Sequence, residues 1–393
     1  MARLGSMPKG GIALMAAAAL LAAGCGSASD AGSRRAPQQT AQDPSRLPPA
    51  GAQFGRNVVR VPGLSPADVA GAAALAAYPP DRGVRPTGLV LTQDTAWREL
   101  LVSAQLAAAP VNAAILPIKR DYLPTATSDL VGRLHPTGFK KAHGLQALVL
   151  GAAGRDVFAD LQDAGLKLSQ LKAASSDRLA EKLVPYRAGF AGHISSTIVI
   201  ASSADPAYAL PAAAWSAFSG DTVALVGRRS IPASTRRVLA QRPKLRLEKP
   251  TMYVVAPPSV VSARVADQLR AYGTVKRIAG RTPAEVSVAL ARYRDARTGF
   301  GWGVRHAPAS VSLVDARDWA DGAGALMFAA RGPRAPVLVL DRPDALPPAI
   351  ERYIADLSGS EPSQAFAFGG ERAIATSVLA KLDALLAAGA TGA

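Results

Sequence analysis

The chain has 393 residues, 49% of them apolar and 5% aromatic, with a formal net charge of +16, four histidines and one cysteine. That is too long for one ordinary domain and too apolar for a disordered chain, and a lone cysteine excludes an intramolecular disulfide. The cation surplus favours a polyanionic partner, whether nucleic acid, an anionic membrane or an acidic envelope polymer, without choosing among them.

The N-terminus narrows that choice. Arg3 and Lys9 precede the apolar run from Gly11 to Ala23, long enough for a signal-peptide core and too short to cross a bilayer. The run ends in Leu21-Ala22-Ala23-Gly24-Cys25, and Cys25 is the only cysteine. This segment resembles the bacterial lipobox, which implies cleavage before Cys25 and diacylation of its thiol. Residues 1–24 are thus expected to be a lipoprotein signal peptide; losing Arg3 and Lys9 leaves the mature chain at +14. Export excludes cytosolic or nuclear nucleic acid as the natural partner. Residues 25–56 begin with the lipidated Cys25 and continue in Gly, Ser, Ala, Pro, Gln, Asp and Arg, with almost no large apolar side chain. Such a composition cannot bury enough surface to fold and reads as a disordered tether.

From Asn57 onward one pattern recurs three times. A basic lead-in and an amphipathic helix come first, followed by three short apolar runs, each with its own helical stretch. In the first copy the lead-in is Asn57–Gly63 and the helix Pro66–Tyr78, with Pro preorganised for a helix start. Strands are expected at Gly88–Thr92, Ala113–Ile118 and Leu148–Leu150, with helices at Trp97–Ala109, Thr125–Leu134 and Val157–Leu166. The second copy gives a helix at Leu179–Tyr186 and strands at Ile198–Ala201, Thr222–Val226 and Met252–Val255. Its later helices are Tyr208–Phe218, Ser234–Gln241 and Val260–Tyr272. Its lead-in is reduced to Leu171-Lys172-Ala173-Ala174. The third and clearest copy runs from Val275–Gly280 through the helix Pro283–Tyr293 to strands at Val311–Val314, Val337–Leu340 and Ala365–Phe368. Short Val/Leu/Phe runs bounded by Asp, Pro or Gly and separated by helices imply βαβ units with buried parallel strands.

Spacing supports triplication. Leu89, Ile198 and Val311 open equivalent strands 109 and 113 residues apart, and Ile115, Val223 and Val337 open the next set 108 and 114 apart. That period is too long for a solenoid repeat and suits three tandem Rossmann-like α/β domains with short parallel sheets, at 57–170, 171–275 and 276–393.

The third copy is similar to the type 2 cell-wall-binding repeat. The matching residues are Arg277-Ile278-Ala279-Gly280-Arg281, Trp319–Gly322, Ala335–Leu340, Leu346-Pro347 and Phe368–Ile374. The match is weaker in the first copy, and in the second it rests on Val226-Gly227 and Ile231-Pro232. The resemblance implies a pseudo-threefold body that sits on an anionic wall polymer without covalent attachment.

In parallel α/β sheets ligands bind beyond the carboxyl ends of the strands. The second strand of each copy ends in cations: Lys119 and Arg120, Arg228 and Arg229, and Arg342. Each set precedes a Leu-Pro or Ile-Pro helix start, a setting suited to phosphate or carboxylate groups. Arg155 and Arg372, after the third strands, are candidates of the same kind, the alternative being solvated or paired loop residues.

Enzyme motifs such as Gly-x-Ser-x-Gly, His-Glu-x-x-His and the Walker A loop are missing, and His135, His143, His193 and His306 lack ligand spacing. Neither a metal nor a cofactor is expected. Gly299–Gly303 reads as a flexible insertion, and Asp160, Asp205 and Asp321 read as helix-start residues that cap or pair locally. The favoured reading is a non-catalytic lipoprotein that binds an anionic cell-wall or envelope polymer; a solute-binding lipoprotein of a transport system is the alternative, and an envelope hydrolase is a third class.

Overall fold

The computed structural model describes residues 52–242, 245, 247–304, 308–357 and 364–390. The expected signal peptide, Cys25 and most of the expected tether lie outside them. The tether's last residues belong to the fold: Ala52–Phe54 form a strand, β1, antiparallel to β2 (Val58–Val61).

Three parallel sheets alternate with helices, as expected for tandem α/β units. After β2 the first copy runs α1 (Pro66–Ala77), β3 (Gly88–Gln93), α2 (Trp97–Ser103), β4 (Ala113–Ile118), α3 (Thr125–Leu134), β5 (Ala147–Leu150) and α4 (Arg155–Asp163). The second runs β6 (Leu168–Leu171), α5 (Ser176–Ala191), β7 (Thr197–Ser202), α6 (Pro206–Ser219), β8 (Thr222–Val226), α7 (Ala233–Gln241), β9 (Thr251–Val255) and α8 (Ala263–Leu269). The third runs β10 (Thr274–Ile278), α9 (Pro283–Arg292), β11 (Ser310–Asp315), α10 (Gly322–Ala330), β12 (Val337–Leu340), α11 (Pro348–Leu357), β13 (Gln364–Phe368) and α12 (Thr376–Ala390). The strands β4, β5, β7, β8, β9, β11 and β12 are buried along their whole length, as parallel strands covered on both faces must be.

The sheets are offset from the sequence repeats by one strand. Their orders are β4-β3-β5-β6, β8-β7-β9-β10 and β12-β11-β13-β2, with β1 beyond β2. Each lead-in segment is therefore a strand, and it closes the sheet of the preceding copy. The first copy's β2 closes the third sheet, pairing in parallel with β13 from Val58↔Ala365 to Val61↔Phe368. The chain thus joins its first and third copies as it joins the others, which makes a closed ring of three.

Small side chains allow the helices at the centre of this ring to approach closely. Helix α10 packs on both α1 and α6, and all three are mainly Ala and Gly on their buried faces. A Cβ added at Gly322 would lie 2.8 Å from Leu210 Cδ1, and one at Gly324 would lie 3.1 Å from Ala73 Cβ and 3.0 Å from Phe368 Cδ1. The Ala-rich composition is therefore a packing requirement. Among the described residues no helix is long and apolar enough to cross a membrane.

Two sequence readings change. Strand register places Gln170, Arg60 and Arg277 at one equivalent position, since Leu171, Val61 and Ile278 pair with Leu150, Phe368 and Val255. The second copy's lead-in is thus Gln170-Leu171-Lys172-Ala173, one residue earlier than expected. Ala173 stands where Gly63 and Gly280 allow the chain to press on the next helix's first turn, where a Cβ would lie 2.6 Å from Val69 N or 2.7 Å from Val286 N. That helix start is correspondingly looser: Ser65 and Asp68 form a capping box on α1 and Thr282 caps α9, whereas Ser175 makes no side-chain cap.

The second change concerns Gly299–Gly303. Phe300 and Trp302 are 1% and 6% exposed. Phe300 stacks on Tyr253 at 3.6 Å and lies 4.5 Å from Trp215, which meets Trp302 at 5.6 Å. The segment is a packed plug between β9 and α6, held by aromatic burial that glycine-rich spacing concealed. Beside it Asp295 accepts hydrogen bonds from Tyr253 Oη at 2.5 Å and from Lys276 Nζ. Burial alone would raise the Asp295 carboxyl, but these donors more than offset it and hold it at about 2.

Candidate functional site

The carboxyl ends of the three sheets share one architecture. β4, β8 and β12 end at Ile118, Val226 and Leu340, so Arg120, Arg228 and Arg342 all stand two residues beyond their strand. Each turn is tied to the start of the helix that follows the sheet's third strand. Gly154 N donates to Arg120 O at 2.6 Å, Ser262 N to Arg228 O at 3.0 Å, and Ala375 N to Pro343 O at 2.8 Å. These bonds bring Arg120 and Arg155 onto one corner, and they join the turn bearing Arg342 to the segment that follows Arg372. On the middle sheet they join the turn of Arg228 and Arg229 to Arg264, in the first turn of α8, which sequence reasoning did not single out. Its counterpart is Arg155, which opens the corresponding helix one residue after Gly154, where Arg264 stands two residues after Ser262.

The cations differ in what they touch. Lys119 pairs with Asp94 at 2.6 Å, and that hydrogen bond raises the ammonium's pKa. Arg342 forks onto Asp344 with contacts of 3.1 and 2.9 Å. Arg317, after β11, forks in the same way onto Asp315. Arg120, Arg155, Arg228, Arg229 and Arg372 are exposed, and among the described residues they enter no ion pair. The cations at the second-strand ends thus divide: the third sheet pairs its own arginine, the first pairs its lysine, and among the described residues the middle one pairs neither arginine.

A second set comes from the lead-in strands: Arg60 and Arg277 read in the sequence only as motif residues, and Gln170 lies outside the expected lead-in. Arg60 donates to Gly369 O at 3.0 Å and Ile374 O at 2.8 Å, and pairs with Glu371 at 3.2 Å. Arg277 donates to Ala256 O at 2.7 Å and Ser262 O at 3.3 Å. Gln170 Nε2 donates to Gly151 O at 2.9 Å. Each side chain reaches across from the edge strand to the carbonyl just beyond the third strand, so the position staples the turn. Burial lowers the pKa of both guanidiniums, Arg60 and Arg277.

Against the glycines of two of these stapled turns lies a carboxylate, that of half-buried Glu99 in one and of buried Asp321 in the other. Gly151 faces Glu99, whose Oε2 is buried without a hydrogen-bond partner, and Gly369 faces Asp321. A side chain on either glycine would collide with the carboxylate, 2.3 Å away at Gly151 and 2.5 Å at Gly369. Burial raises the Glu99 pKa. Asp321 is 8% exposed, and burial, then the charges of Asp318, Asp315 and Asp68, push it up to about 7. Of the three aspartates expected to cap helices, Asp205 does so, accepting from Ala207 N at 3.0 Å. Asp160 lies inside α4 and Asp321 makes no side-chain cap on α10.

Elsewhere, a depression of about 450 Å³ between α9 and α11 is lined by Val288, Arg292, Ala349, Arg352 and Asp356. Arg292 pairs with Asp356 across it. Among the described residues no group of three or more His, Cys, Asp or Glu side chains could hold a metal ion.

The fold defines a class: three α/β units, each a four-stranded parallel sheet closed by its neighbour's lead-in strand. Among solved structures the chain is similar to Cwp6 from Clostridium difficile, with a TM-score of 0.65 and 14% identity over 84% of this chain and 49% of that one. It is equally similar to Cwp8 from the same organism, with a TM-score of 0.66 and 15% identity over 84% of this chain and 52% of that one. The chain spans about half the length of these proteins, and at such identity the likeness is one of fold. No protein-family profile matches the chain, and no curated protein matches it significantly.

Proposed function

We propose that this is an exported, non-catalytic lipoprotein, anchored in the cell membrane through Cys25, whose α/β ring binds an anionic cell-wall or envelope polymer. The observation that carries the reading is the pairing of a fold shared with the cell wall proteins Cwp6 and Cwp8 with a +16 chain bearing unpaired arginines at strand ends. The likeness supplies the setting, an extracytoplasmic wall-associated protein. The charge supplies the chemistry, since guanidinium groups fit phosphate and carboxylate oxygens in pairs. The lipobox-like segment supplies the anchor, and the residues up to about 51 supply a tether between membrane and ring. Three equivalent sheets suit a repeated polymer better than the two-lobed cleft of a solute receptor.

The test is co-sedimentation of the mature chain with purified walls across a salt series. Retention is expected to fall steeply as salt rises, because each ion pair with a polyanion releases counterions. Retention unchanged at high salt contradicts the electrostatic basis of the proposal.

A further inference from the structure

Resting on the reading that the ring binds an anionic polymer, we infer that the polymer docks on the carboxyl edge of the middle sheet, with Arg228, Arg229 and Arg264 as its anchoring groups. This is the copy whose sequence diverges most, and its edge is electrostatically unlike the other two. At the third sheet Arg342 is matched by Asp344, Arg317 by Asp315 and Arg60 by Glu371, which leaves Arg372 as its one candidate arginine outside an ion pair among the described residues. At the first, Lys119 is matched by Asp94, and Asp121 and Asp156 directly follow Arg120 and Arg155. At the middle sheet the turns Gly227–Ser230 and Ala256–Ser262 contain no carboxylate at all. Arg277, the counterpart of Arg60, is held there by carbonyls alone.

Three nearby acids have partners of their own: Asp205 caps α6, Asp267 pairs with Arg270, and Asp177 of α5 accepts a hydrogen bond from Ser234 in the first turn of α7. Arg98 adds a further cation, reaching from α2 to donate to Ser203 O at 2.6 Å, just beyond β7. The scaffold under these groups is also fixed. Gly227 N donates to Ser230 O at 2.9 Å, closing the turn that bears Arg228 and Arg229, and Ser262 N to Arg228 O at 3.0 Å locks that turn against α8. Several unneutralised guanidiniums on a closed backbone platform form a locally positive field that an acid-matched edge cannot produce. A chain carrying repeated phosphodiester or carboxylate groups fits it by presenting several anions at once.

The experiment measures binding of the mature chain to two defined probes, poly(glycerol phosphate) and poly-glutamate, across a salt series. It compares the wild type with Arg228→Ala/Arg229→Ala/Arg264→Ala and with the charge-matched control Arg82→Ala/Arg133→Ala/Arg297→Ala. All six side chains are exposed, and circular dichroism verifies the fold of each variant. The edge triple is expected to lose at least about tenfold in affinity and to lower the salt slope by roughly two to three, whereas the control changes affinity less than about twofold. A preference for one probe identifies phosphate or carboxylate as the group recognised. Equal losses in both triples overturn the placement while leaving polymer binding intact. Binding of neither probe by the wild type overturns the placement together with the polymer reading.

Discussion

Asp321 offers the most quantitative test of how the ring is held together. Its carboxylate sits at the junction of β11, β13 and α10, with Gly369 against it and with Asp68, Asp315 and Asp318 as the charges around it. Arg317, which follows Asp315 on the same turn, is committed to that aspartate. The Asp321 pKa rises from 3.8 to about 7 in the folded chain. Between those values the folded state keeps a proton that the unfolded state has lost, so the contribution of this group to stability falls as pH rises. A shift of about three units corresponds to roughly 4 kcal/mol of destabilisation once the pH exceeds the folded pKa. Asp321→Asn removes the charge and keeps the shape. Urea denaturation of both proteins should show a small difference near pH 4 that widens through neutrality, the variant being more stable by up to about 4 kcal/mol above pH 8. Other titrating groups cancel in that comparison unless they contact the site. A difference that does not change with pH refutes the assignment.

Three further perturbations probe the packing. Phe300→Ala should destabilise by about 3–5 kcal/mol and collapse the near-UV dichroism of the aromatic plug, whereas a flexible loop would tolerate it. Arg277→Ala should cost about 1–3 kcal/mol in chemical denaturation by stranding Ala256 O and Ser262 O, and Arg277→Gln should recover part of the loss because Gln170 performs the same task in the first sheet. Gly324→Leu should lower the melting temperature through overpacking worth at least about 1–3 kcal/mol, since Ala73 and Phe368 already bound the available space.

The sequence revealed the nine central strands because each is a short apolar run buried on both faces, and its helices because they carry caps and period. The lead-in strands were invisible as strands. β6 reads Leu-Ser-Gln-Leu and β10 reads Thr-Val-Lys-Arg-Ile, compositions that become strands only because a neighbouring sheet offers an open edge. β2 finds its partner β13 some three hundred residues away, a pairing that local pattern cannot encode. The buried plug at Phe300 and Trp302 was hidden for a related reason: its glycines signal flexibility locally, while its aromatics are fixed by Trp215 and Tyr253 from other elements. Site residues were legible by position but not by state. Recurrence found Arg120, Arg228 and Arg342 at equivalent places, yet whether each is free depends on acids such as Asp94, supplied by a different turn.

The central claim, that this ring holds an anionic wall polymer, is tested most directly by co-sedimenting the mature chain with purified walls before and after their anionic polymers are stripped. The account predicts strong retention on intact walls and loss of most of it on stripped ones, with added free polymer competing for the protein. Equal retention on intact and stripped walls would contradict it.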